Sequence, residues 1–134
     1  MNTRFYLVFA ALSCLVSVAF GAFGAHALKA MVTPERLTVW HTGVLYQMTH
    51  SLGLFMLVAV SAWLAPVWQK WAARFLVAGI VIFSGSLYLL VLTDTPTLGA
   101  ITPLDGIHIL LSSLLLAMAA LKEKARKAET NPNT

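Results

Sequence analysis

Apolar residues run along this chain in four long blocks, 5–28, 39–64, 75–93 and about 101–121, and the few charges sit almost entirely between them. Each block is about long enough to cross a hydrocarbon core ~30 Å thick as a helix. The pattern predicts an all-α, polytopic membrane protein: four transmembrane helices in a compact bundle over residues 1–121, then a short basic tail over 122–134. Helix punctuation agrees. Thr33-Pro34-Glu35 supplies a capping hydroxyl, a proline for the first turn and an acid at the positive end of the helix dipole. Thr102-Pro103-Leu104-Asp105 repeats that order before the fourth block, and Pro66 ends the second block or begins the next helix. The paired Thr-Pro openings suit two successive helical hairpins.

Composition sharpens this picture. The 134 residues are 59% hydrophobic and 10% charged, against about 25% charged in a soluble domain. A chain this small keeps most of its surface exposed, so lipid must cover it. The net charge of +4 does not point to nucleic acid, because the basic residues form no patch with interleaved aromatics. Cys14 is the single cysteine, which excludes an intrachain disulfide and any cysteine-based metal motif. A cleaved signal peptide is the competing reading of the N-terminus, but the run from Phe5 exceeds the usual apolar length of about 7–15 residues. The expectation is a retained first span.

The basic residues predict the threading. With four spans, one side carries Arg4, Lys70, Arg74, Lys122, Lys124, Arg126 and Lys127, and the other only Lys29 and Arg36. The positive-inside rule then places both termini in the cytoplasm of a bacterial inner (plasma) membrane. Trp63, Trp68 and Trp71 suit the cytoplasmic interface and Trp40 the opposite one.

Helix faces carry the candidate chemistry. In span one, Ala10, Ser13, Ser17, Gly21 and Gly24 share a narrow stripe at ~100° per residue, a seam for close helix packing. Gly79, Ser86 and Thr93, with Gly85 beside them, make a sparser seam in span three. In span two, Gly43, Gln47, His50 and Leu54 lie on one face with Tyr46 and Gly53 at its edge. His50 falls ~15 Å below the outer surface, near the bilayer centre. A glutamine and a histidine there are costly unless partnered. Two readings follow: interhelical hydrogen bonds to Ser84, Ser86, Ser112 or a backbone carbonyl, or a polar pocket in which His50 changes charge. A second group, His26, His41, Asp105 and His108, gathers at the outer helix ends. Such a set suits a divalent metal only if the helices converge, and no two of its histidines have ligand spacing within one helix.

Four stretches also carry a resemblance. Gly21-Ala-Phe-Gly-Ala-His-Ala-Leu28, Thr42-Gly-Val-Leu-Tyr-Gln-Met-Thr-His50, Ser84-Gly-Ser-Leu-Tyr88 and Thr102-Pro-Leu-Asp-Gly106 resemble, in order, the signatures of the small membrane family called domain of unknown function 423. The resemblance implies four helices and a bacterial inner-membrane location, and no established activity. His26, Tyr46, Gln47, His50 and Tyr88 match signature positions. Asp105 stands where the pattern is expected to carry glycine, and His41 and His108 belong to no signature.

Paired carboxylates, Ser/His/Asp spacing, glycine-rich phosphate loops and cofactor motifs are absent from the sequence. That leaves a non-enzymatic accessory or homo-oligomeric membrane component as the leading expectation, with membrane lipids as its surroundings. The alternative is binding or transport of a small molecule, ion or proton along the Gly43/Gln47/His50 face.

Overall fold

A computed structural model describes residues 1–100 and 102–130; the side chains of 100, 102–106, 109, 125, 126 and 128–130 lie outside that description. The described residues form five α-helices: α1 (Thr3–His26), α2 (Pro34–Ala59), α3 (Pro66–Gly79), α4 (Gly85–Thr93) and α5 (Thr102–Thr130). A π-helical turn, Ile80–Ser84, fuses α3 and α4 into one rod, so the long helices number four.

Local chemistry sets the helix starts. The Asn2 side chain accepts from the Phe5 amide at 3.1 Å, and the Thr33 hydroxyl from the Arg36 amide at 3.3 Å. Pro34 and Pro66 occupy first-turn positions, where a missing N–H costs nothing. Glu35 follows Pro34; its own backbone amide, then the Thr33 hydroxyl, hold its carboxyl below the ordinary carboxylate range. Asp94 ends α4 in the left-handed region, φ 49°, which short polar side chains enter at low cost.

Several boundaries depart from the apolar blocks; α2 stops at Ala59, short of residue 64, where a separate 3-10 turn, Ser61–Trp63, follows. α3 begins at Pro66, not near residue 75, because the polar residues between them are compatible with helix and the proline presets its first turn. α5 carries the basic tail out to Thr130 as continuous helix; the remaining tail residues, 131–134, lie outside the described residues.

Antiparallel registers are visible in individual contacts. Ser13 meets Ser51 across α1 and α2, Ser84 reaches the Gly43 carbonyl across the rod and α2, and Ser112 reaches the Ala72 carbonyl across α5 and α3. Met1 meets Gln69, and the Ala65 amide bonds the Ala119 carbonyl. The start of α1, the start of α3 and the Ala119 region of α5 therefore share one end of the bundle. Leu28, Arg36 and Asp94 occupy the other.

The outer surface is apolar, and a layer of polar side chains is buried within the apolar interior. Phe5, Val8, Leu12, Leu15 and Val18 of α1 are each more than half exposed, while Ser13, Ser17, Gln47, Ser51 and Ser84 are buried. One apolar cluster (Tyr6, Ala10, Leu54, Leu57, Ala72, Leu76 among its members) fills the end near the N-terminus. A second, around Leu28, Trp40, Tyr88, Leu90 and Val91, fills the other, and Ser13, Gln47 and Ser51 lie between the two. Two stretches, Thr3–Ala30 and Pro66–Thr93, are by themselves long and apolar enough to cross a membrane. Trp40 does not mark an interface: it is buried, and its indole N–H donates to the Phe20 carbonyl at 2.8 Å.

Candidate functional site

The polar layer is organised by Gln47, midway along α2. Its amide nitrogen donates to the Ser13 carbonyl at 3.1 Å and to the Ser13 hydroxyl at 3.2 Å on α1. Its amide oxygen accepts from the Tyr88 hydroxyl of α4 at 2.6 Å. Those partners fix which way the amide faces, since a carbonyl can only accept and its neighbour must be the NH2 group. Ser51, one turn along, lies 2.7 Å from the Ser13 hydroxyl and 2.6 Å from the Gln47 carbonyl. A hydroxyl has one proton, so with Ser51 donating to that carbonyl, Ser13 donates to Ser51. Ser17 donates to the Ser13 carbonyl at 2.9 Å. The result is a clamp across three helices with both amide hydrogens and the amide oxygen engaged.

Small residues let the helices come close enough for this. A Cβ on Gly43 would stand 2.9 Å from Cε1 of Tyr88, and one on Gly24 would stand 2.8 Å from Cδ1 of Trp40. Only glycine leaves room at either point. Gly21 faces Val44 at ordinary contact distance, and Gly79 is buried in α3. Gly85 faces open space, so the seam expected in span three does not run through it: at that level the rod turns Ser84, Leu87 and Tyr88 toward α2.

The expected site residues divide. Gln47 and Tyr88 are brought together with Ser13 and Ser17. Tyr46 and His50 are not. The His50 ring nitrogen pairs with the Tyr46 carbonyl of its own helix, and its ring stacks on the Tyr46 ring at 5.7 Å, outside the clamp. Ser86 donates to the Phe83 carbonyl and Ser112 to the Ala72 carbonyl. His26 is exposed at the end of α1, and His41 packs its ring beside Gly24. His108 lies far from both. Its neighbours are Phe75, 5.9 Å between ring centres, and a hollow of about 160 Å³ with Trp71 and Arg74. The rod residues level with His41 are some thirteen positions further along, or ~20 Å. The outer cluster is thus corrected: α5 is displaced along α3 by its Ala65–Ala119 and Ala72–Ser112 pairings, which draws His108 toward the N-terminal end. The Asp105 side chain lies outside the described residues. Among the described residues, no three His, Cys, Asp or Glu side chains converge as a metal site.

Two features were not anticipated. Ser51 was findable, being four residues after Gln47 on the same face. The ion pair of Arg36 with Asp94, at 2.7 and 2.9 Å, spans 58 residues and has no local signature. It borders a cleft of about 360 Å³ near Leu28, Val32 and Val91.

Two hollows open between α1 and the rod. One, about 330 Å³, has Phe9, Leu12, Ile80 and Val81 as walls and Ser13 and Gln47 as floor. The other, about 420 Å³, runs on toward the N-terminus between Phe5, Tyr6, Arg74, Val77 and Ile82; Val81 borders both.

The model of the family described as "Protein of unknown function (DUF423)" matches residues 20–106. The chain is 42% identical over 120 residues to the UPF0382 membrane protein YwdK of Bacillus subtilis, covering 89% of this chain and 98% of YwdK. It is 36% identical over 126 residues to the UPF0382 inner membrane protein YgdD of Escherichia coli, covering 94% and 96%. A UPF0382 membrane protein of Staphylococcus epidermidis is 39% identical over 119 residues, covering 89% and 97%. No solved structure matches the chain.

Proposed function

The chain belongs to the DUF423 family of membrane proteins, and from that premise we propose that it crosses the inner membrane four times with both termini cytoplasmic, as a non-enzymatic accessory or homo-oligomeric component. The observation that carries this reading is the saturation of Gln47. A conducting or catalytic polar face needs groups free to exchange partners with water or substrate. Here both ends of the amide are bound to other helices. His50, three residues further along α2, pairs one ring nitrogen with the Tyr46 carbonyl. The orientation rests on seven basic residues toward the end that holds the N-terminus, against Lys29 and Arg36 toward the other.

Single cysteines in a Cys14→Ala background test the threading. A membrane-impermeant maleimide should label Met31→Cys in intact cells, and Asn2→Cys or Trp63→Cys only after lysis. Labelling of Asn2→Cys in intact cells would overturn the orientation. Proteoliposomes of the full chain should show proton flux no higher than lipid alone, and a flux abolished by His50→Leu would overturn the accessory reading.

A second reading, a binding protein for an amphipathic molecule, is favoured by the hollow whose floor is Ser13 and Gln47.

A further inference from the structure

α1 packs along α2 and leaves a furrow against the α3–α4 rod, formed by the two hollows that meet at Val81. We propose that this furrow holds one acyl chain of an anionic phospholipid, with the lipid phosphate at the Arg74 guanidinium. The inference deepens the binding reading and rests on the chain lying in a bilayer.

Length comes first. The furrow runs from Phe5 to Val16 on α1, eleven residues or about 16 Å at 1.5 Å each. Half of a ~30 Å hydrocarbon core is the same distance, so the furrow spans one leaflet. Chemistry comes second. Its walls are apolar, and the two polar residues on its floor already bond each other. A hydrocarbon tail asks nothing more of them, whereas a polar tail would go unpaired.

Charge decides the head group. Arg74 borders the mouth, exposed, with its guanidinium 5.0 Å from the centre of the Trp71 ring. Among the described residues no carboxylate pairs with it, in contrast to Arg36 at the other end of the bundle, which has Asp94. A guanidinium fork matches phosphate oxygens two at a time, and a neighbouring tryptophan suits the head-group level. The outward sides of the furrow, Phe5, Leu12, Val81 and Ile82, are exposed, so among the described residues no helix of this chain closes it.

Native mass spectrometry of the full chain in mild detergent tests the proposal. Phosphatidylglycerol and phosphatidylcholine with the same acyl chains are supplied in equal amounts. One phosphatidylglycerol should be retained per chain at about fivefold preference, the value of one cationic contact with an anionic lipid. Arg74→Gln should bring the ratio to about one, and Val81→Trp, which fills the furrow, should remove retention of both lipids. Leu15→Trp, on the exposed side of α1 away from the furrow, should change neither. Equal retention of the two lipids by the wild type would overturn the proposal, as would an unchanged preference in Arg74→Gln. So would a lipid-free dimer, because a second copy would then fill the furrow. If Val81→Trp does not fold, the exposed Arg74→Gln change decides alone. Reversed maleimide labelling would only exchange the leaflet that supplies the lipid, so the two readings fail separately.

Discussion

Replacing Gln47 by leucine is the sharpest probe of the polar layer. The substitution keeps the approximate side-chain volume and removes three hydrogen bonds at once. Their loss is unequal. The Ser13 carbonyl keeps the Ser17 hydroxyl, and the Ser13 hydroxyl keeps Ser51. Among the described residues the Tyr88 hydroxyl has no second partner, and it stays buried. A buried polar group stranded in this way costs ~1–3 kcal/mol. Interhelical bonds in membrane proteins run lower, ~0.6 kcal/mol on average and ~1.7 at most. One stranded hydroxyl plus the weaker losses gives about 2 kcal/mol for Gln47→Leu. Tyr88→Phe leaves the amide oxygen short of a donor and should cost about 1 kcal/mol.

The double variant discriminates. Removing both partners of a buried bond leaves nothing stranded and is far cheaper than the separate losses imply. Gln47→Leu/Tyr88→Phe should therefore cost about 1 kcal/mol, less than Gln47→Leu alone and not the additive ~3, a coupling of ~2 kcal/mol. Reversible unfolding in mixed micelles by added dodecyl sulfate, followed by far-ultraviolet circular dichroism, measures all four corners of the cycle. Costs that add to within ~0.3–0.5 kcal/mol, or a Gln47→Leu protein as stable as the parent, would refute the clamp.

Further expectations concern single positions. Gly43→Ala forces a Cβ against the Tyr88 ring and should destabilise by ~1–3 kcal/mol, whereas Gly53→Ala enters open space and should stabilise by up to ~1 kcal/mol through helix propensity; the same denaturation series reads both, and equal signs would contradict the packing. Asp94→Ala loses the partner of Arg36 and keeps a left-handed backbone, so it should cost ~1–2 kcal/mol, while Asp94→Gly relieves the backbone and should come within ~0.5 kcal/mol of wild type. Arg36→Gln should cost under ~1 kcal/mol, and less at high salt, because the Asp94 carboxylate of the pair is exposed to solvent. The Glu35 carboxyl is lowered in the folded state from 4.5, so its small stabilisation is present above that value and fades as pH falls through the folded one. Glu35→Gln should flatten the acid limb of melting temperature against pH.

Legibility in the sequence followed the range of the forces involved. The four apolar blocks and the capping Thr33-Pro34 are local patterns, and the helices appear where those patterns place them. Pro66 is the instructive boundary: hydropathy put a loop after it, yet a proline at a first-turn position and helix-compatible polar residues extended α3 back to it. The small-residue stripe of α1 was legible because only one helix face can hold Ser13, Ser17 and Gly24 together. What the stripe meets was not legible. Gln47 was expected to find Ser84, Ser86, Ser112 or a backbone carbonyl; register gave it the Ser13 carbonyl, with the Ser13 hydroxyl and Tyr88 in place of the named serines. His50 lay within the drawn arc, yet three residues make less than a full turn, and the deviation set it beside Tyr46. The outer cluster failed for the same reason on a larger scale, since the stagger of α5 against α3 is written in no single segment.

These placements together explain how so small a bundle coheres without water. In lipid, apolar side chains gain little by meeting one another, so helices associate through close backbone approach and hydrogen bonds. The chain uses the first at Gly24 and Gly43 and the second at Gln47, and the two are coupled through one ring: Gly43 admits Tyr88, and Tyr88 delivers its hydroxyl to Gln47. Widening the first contact must loosen the second. Gly43→Ala and Gln47→Leu should accordingly be less than additive, by ~0.5 kcal/mol or more. Strict additivity would mean that the ring is held by its apolar neighbours Phe20 and Trp40 and that its hydroxyl only happens to lie near the amide.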